Sequence, residues 1–66
     1  MKIILYSTHC PRCNVIEQKL KAKGIIYEEI NDVEAIEHKG IKQVPALEID
    51  GELFDFVHAN AWVNNQ

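Results

Sequence analysis

The sequence predicts an α/β domain, a four-stranded mixed sheet flanked by helices in the order βαβαββα. Three observations predict it. A short, nearly continuous apolar run, Lys2–Thr8, gives way from Asn14 to a helical period. A second stretch rich in β-formers follows a glycine that ends that helix. Asp50-Gly51 then stands between two further short runs, a strong two-residue hairpin signal. A strand, crossover helix and parallel strand followed by a hairpin closes into one mixed sheet.

Lys2–Thr8 suits a strand buried on both faces, because its apolar residues run on without alternating. The first helix follows. Pro11 fits its first turn, where a missing N–H costs nothing. Val15, Ile16, Lys19 and Leu20 are expected on its inner face, the lysine through its stem. Glu17, Lys21 and Lys23 read as exposed helix charges, and Gly24 after a lysine-rich last turn ends the helix. Ile25–Ile30 is the second strand. Asn31 or Asp32 caps a short helix through Val33, Ile36 and Glu37, which Gly40 ends, with His38 complementing its dipole. Ala46–Ile49 and Glu52–Phe56 form the hairpin strands. Val57–Val63 is a closing helix with Ala59, Trp62 and Val63 inward.

Composition narrows the function. The chain has 66 residues, 47% of them apolar and 26% charged, which fits one small globular domain spanning 1–66. Its net charge of −3 argues against nucleic acid as a partner. No apolar run approaches the roughly 20 residues that span a bilayer, so no membrane association is expected. The apolar start is shorter than the about 7–15 residues of a signal-peptide core, and a cytoplasmic location is expected. There, thiols stay reduced unless they have redox work.

The two cysteines, Cys10 and Cys13, stand at the junction of strand and helix. A disulfide between them closes so small a loop that it restrains the unfolded chain little, which weakens the reading as a staple. Zinc sites join Cys-x₂-Cys to two further ligands. The histidines here, His9, His38 and His58, form no second paired motif, so no metal is expected. A redox centre fits better. With Cys10 at the helix N-cap, unpaired N–H groups and the dipole favour a thiolate and lower its pKa. Cys13, one turn on and more inward, is placed to resolve a mixed disulfide formed at Cys10. His9, when protonated, and Arg12 would each favour the anion.

The run Tyr6-Ser7-Thr8-His9-Cys10-Pro11-Arg12-Cys13, the Gln43-Val44-Pro45 before a strand and the Asp50-Gly51 hairpin resemble the thioredoxin fold, and specifically its small glutaredoxin branch. The resemblance implies a thiol-disulfide oxidoreductase that needs no organic cofactor. It also implies a cis Val44–Pro45 bond, with Gln43, Val44 and Pro45, joined by Arg12 and His9, receiving an extended substrate beside Cys10. The chain departs from glutathione-using members at two places. Ser7 stands where they often carry a basic residue, and Phe56 lies in a stretch where they carry Gly-Gly. Gly40–Pro45 is similar to redoxins that supply ribonucleotide reductase and draw on thioredoxin reductase. The implied partners are therefore a disulfide-containing protein such as that enzyme, and either glutathione or thioredoxin reductase as donor, with the chain a monomer. Two rival readings stand beside this: a non-catalytic adaptor whose partner docks at Val44-Pro45, and a metal or iron–sulfur module.

Overall fold

The computed structural model describes residues 1–66. Its elements are β1 (Ile3–Tyr6), α1 (Pro11–Ala22), β2 (Glu28–Ile30), α2 (Val33–His38), β3 (Ala46–Ile49), β4 (Glu52–Phe54) and α3 (Phe56–Asn64), the expected order. They build one sheet with strand order β2-β1-β3-β4. β1 runs parallel to β2, with Leu5 opposite Glu29, and antiparallel to β3, with Leu5 opposite Leu47. β3 and β4 form the hairpin. Asp50 and Gly51 both take positive φ, 50° and 88°, the backbone that such a turn demands and that glycine adopts without strain.

Every residue of β1 is buried, as a central strand in a two-sided sheet requires. Its side chains divide by alternation. Ile3 and Leu5 join Leu47 and Ile49 against Ile16 and Leu20 of α1 and Ala59 and Val63 of α3. Ile4 and Tyr6 join Ala46 against Ile36 of α2 and Ile41. No helix is long and apolar enough to cross a membrane.

Several local expectations are corrected. The inner stripe of α1 is Cys13, Ile16, Glu17 and Leu20, at the spacing i, i+3, i+4, i+7. Val15 is exposed, because its position lies about 100° around the helix from Ile16. Glu17, expected in solvent, is buried. Lys19 is half-buried and its ammonium bonds the Asn60 side chain, tying α1 to α3. β2 is shorter than Ile25–Ile30: the Ile25 N–H is still turned back to the Leu20 carbonyl, and Ile26 faces solvent. Phe56 opens α3 instead of ending β4, because Asp55 takes extended backbone and its carboxylate accepts the His58 N–H as an N-cap. Ala59 and Val63 face inward as expected, with Trp62 half-buried at the core's edge.

Candidate active site

Two free thiols occupy the junction between the end of β1 and α1. Cys10 is the N-cap, its backbone extended, and its Sγ accepts the Cys13 N–H at 3.2 Å. The expected seat of a sulfur at the positive end of a helix is therefore present. Cys10 is half-buried, whereas Cys13 is fully enclosed. Of the two sulfurs, Cys10 is the accessible one.

Electrostatically the two sulfurs act as a pair. Burial opposes ionising Cys13, but hydrogen bonds from Cys10, from the Ser7 hydroxyl and from the Thr8 and Cys10 backbone outweigh it and hold that thiol below its ordinary value. At Cys10 burial comes first, and with the hydrogen bond to Cys13 it outweighs the helix-start N–H groups, so that thiol lies above its ordinary value. The sequence placed the first anion on Cys10 alone. The structure instead couples the two sulfurs, with the enclosed Cys13 favoured as the site of charge and Cys10 disfavoured. Ser7 is the residue that sequence reading missed. It is wholly buried, its hydroxyl accepts the His9 N–H at 3.1 Å, and it supports Cys13; as a mere departure from a basic consensus it gave no signal.

The Val44–Pro45 bond is cis, as the resemblance implied. Pro45 is buried, and the Val44 carbonyl oxygen lies 4.0 Å from Cys10 Sγ. Lys42 and Gln43 are exposed between two depressions. One, of about 550 Å³, includes Ile41, Phe54, Asp55 and His58 in its walls; the other, about 170 Å³, includes Thr8, Val33, Ile36 and Val44. Lys42 and Gln43 line both. Cys10, Cys13, Val44 and Pro45 thus come together, with Gln43 at the rim.

Arg12 and His9 take other partners. The Arg12 guanidinium lies over the Phe56 ring, 5.4 Å from its centroid, a cation–π contact in place of an ion pair with sulfur. His9 holds a positive φ of 62° and its ring bonds neither sulfur. Its Nε2 lies 3.3 Å from both Glu29 and the Asn31 amide nitrogen, and its Nδ1 4.0 Å from Glu17. Glu17 titrates above the ordinary carboxyl range, chiefly because its carboxyl hydrogen-bonds that of Glu29 and because it is buried.

The family model described as "Thioredoxin domain" matches residues 1–55. Over 59 residues the chain is 36% identical to the thioredoxin of Methanothermobacter thermautotrophicus, covering 80% of this chain and 77% of that protein. Among solved structures, a mutant of the thioredoxin-like protein BC3987 superposes with a TM-score of 0.70 at 29% identity, covering 82% of this chain and 84% of that one.

Proposed function

The chain belongs to the thioredoxin-fold superfamily, and from that premise we propose that it is a thiol-disulfide oxidoreductase of the glutaredoxin type, acting on protein disulfides. The observation that carries the roles is the unequal exposure of the two sulfurs. Cys10 alone meets a partner, and Cys13 waits enclosed behind it. The pair's first charge rests more on the enclosed Cys13, but the two sulfurs share it and Cys10 is the one a partner reaches. In its thiolate form Cys10 attacks one sulfur of the substrate disulfide, forming a Cys10–substrate bond and releasing the other sulfur as thiolate, which takes up a proton. Cys13 then attacks Cys10 Sγ. The mixed disulfide breaks, the Cys10–Cys13 disulfide forms, and the substrate leaves with two electrons and two protons in all. The Cys13 N–H beside Cys10 Sγ stabilises the Cys10 thiolate that opens the first step. In the second, Cys10 Sγ is the sulfur attacked and the charge passes from Cys13 to the departing substrate sulfur, which is protonated.

The substrate strand lies along Gln43, Val44 and Pro45, with Lys42 beside the two depressions to meet acidic side chains. A partner recognised through backbone and shallow grooves is a protein, for which ribonucleotide reductase is one candidate. The donor is a protein reductase of the thioredoxin reductase type in preference to glutathione. Where glutathione-using relatives have glycines, Phe56 with Arg12 stacked on it fills the ground beside the helix start. A cytoplasmic setting and a monomeric enzyme fit this use of thiols that must be returned to the reduced state.

Two measurements test this. A Cys13→Ser chain offered a disulfide protein accumulates a mixed disulfide at Cys10; folded Cys13→Ser that traps nothing points instead to an adaptor. The oxidised wild type oxidises NADPH with thioredoxin reductase and far more slowly with glutathione and its reductase. The reverse order overturns the assignment of donor.

A further inference from the structure

We propose that His9 is a positioning residue for the dithiol: its imidazole ties the loop between β1 and α1 to β2, and so holds Cys10 Sγ at the tip of α1. The inference rests on Cys10 as the nucleophile of the chemistry proposed above. His9 immediately precedes Cys10 and takes a φ of 62°, in the left-handed region that residues with a Cβ seldom adopt. Asp50, the other non-glycine residue with positive φ, sits beside Gly51 in a hairpin turn that demands such backbone. His9 lies in no hairpin. What holds it is contact with three separate elements. Its N–H donates to the Ser7 hydroxyl oxygen at 3.1 Å, at the end of β1. Its Nε2 lies 3.3 Å from the Glu29 carboxylate of β2 and 3.3 Å from the Asn31 amide nitrogen just beyond, and its Nδ1 lies 4.0 Å from Glu17 of α1.

The carboxylates are the anchored end of this tie. Glu17 and Glu29 hydrogen-bond each other, and Lys21 and Tyr27 face the same pair. The backbone of the loop is fixed to β2 as far as Ser7, whose N–H bonds the Ile30 carbonyl at 3.0 Å. The His9 ring takes over the tie two residues later. Cys10 uses what that fixes. It serves as N-cap with φ −71° and ψ 165°, and its Sγ receives the Cys13 N–H at 3.2 Å. A return of His9 to ordinary negative φ is a rotation of about 120° around one bond, which would swing Cys10 Sγ away from that N–H. The imidazole side chain is 57% exposed, so its removal leaves no cavity in the core. Its effect falls on the loop and on the sulfur that follows.

Alkylation of the reduced protein by iodoacetamide between pH 5 and 9, with the modified sulfur located by mass spectrometry, tests the tie. Wild type should be modified first at Cys10; a Cys10 no more reactive than a free thiol would fail the dithiol reading itself. His9→Gly accepts the left-handed backbone freely but lacks the ring. It should react about tenfold more slowly at pH 7, with the midpoint of the pH profile about one unit higher. Glu29→Ala cuts the same tie from the β2 side and should slow Cys10 by about threefold or more. The double variant should be no slower than His9→Gly, since the tie is already gone. Circular dichroism checks each fold, and Glu29→Ala, which alters no loop residue, decides the matter where His9→Gly does not fold. A reactive wild-type Cys10 whose rate and pH midpoint are unmoved by His9→Gly or by Glu29→Ala, or losses that multiply in the double variant, would overturn the positioning role.

Discussion

The sheet face that carries Leu5 and Leu47 is roofed by two helices, α1 and α3, and bordered by Ile25, Tyr27, Phe54, Phe56 and Trp62. The face that carries Ile4 and Tyr6 is covered by the six-residue α2 and by Ile41, with Ile30 and Val44 at its border. The proposed chemistry is divided between them. Cys13 lies on the inner stripe of α1, in the thick layer, while Val44 and the exposed Lys42 and Gln43 belong to the thin one. A resolving sulfur must hold its place to within fractions of an ångström, which suits the thick layer. A loop that receives varied partner strands works better from a part of the fold that opens at low cost. Under the mechanism proposed above, the inequality separates a fixed reaction centre from an adaptable docking edge.

Deleting core methylenes on each face tests that division most severely. Leu20 is fully enclosed in the thick layer, and Leu20→Ala should cost about 2–5 kcal/mol. At about 0.05–0.15 kcal/mol per residue, a chain this short has a stability of the same order, so this variant should be largely unfolded at 37 °C. Ile36→Ala removes comparable volume from the thin layer, but α2 sits on a border that can collapse into the gap. Its loss should lie near the low end, about 2 kcal/mol. Urea unfolding of the two variants measures both. A cost for Ile36→Ala equal to or above that of Leu20→Ala would abolish the distinction between the layers.

A milder change probes α2 alone. Asp32 caps it by accepting the Glu34 N–H at 3.1 Å, and Lys39 closes its other end with a bond to the Ala35 carbonyl. So short a helix has little stability of its own. Asp32→Ala should cost about 1 kcal/mol. The difference should appear as faster amide exchange at Ile36 and Glu37, with Ile16 and Leu20 in α1 unchanged. Uniform acceleration in both helices would mean that the faces unfold as one unit.

What could be read from the sequence follows the same partition. Periodicities of two and near 3.6, glycine stops and a hairpin dipeptide are local signals, and they located every strand and helix and the pairing of Cys10 with a helix tip. The errors arose where a residue's fate depends on a neighbour distant in the chain. Glu17 reads as a surface charge until β2 brings Glu29 beside it, and Arg12 reads as a partner of sulfur until α3 brings Phe56 under it. Val15 lies a single helical position off the inner stripe, and apolar character alone does not say which edge of the stripe meets the sheet. Ser7, a small polar residue ending a strand, carries no signature until the thiol it supports is in view.

The smallest effect expected separates capping by charge from capping by shape, in the thick layer. Asp55 titrates below the ordinary carboxyl range because its carboxylate accepts first the His58 backbone N–H and then the His58 ring. A carboxyl with a depressed folded pKa adds stability that is fully present above its unfolded value and disappears as pH falls through the folded one. The contribution should thus persist at neutral pH and vanish in the acid range below about pH 4. Asp55→Asn keeps an N-cap acceptor and removes the titration. Its melting temperature should be slightly lower than wild type at pH 6, and the difference should shrink toward zero as pH drops to the acid range. A difference constant across that range would assign the cap's effect to shape alone. The residue lies in full solvent, so salt should screen the charge component but leave the hydrogen-bond component intact. Because α3 is also held by Ala59 and Val63, even complete loss of the charge should leave the helix docked, whereas α2, with Ile36 its one buried residue, has no such reserve.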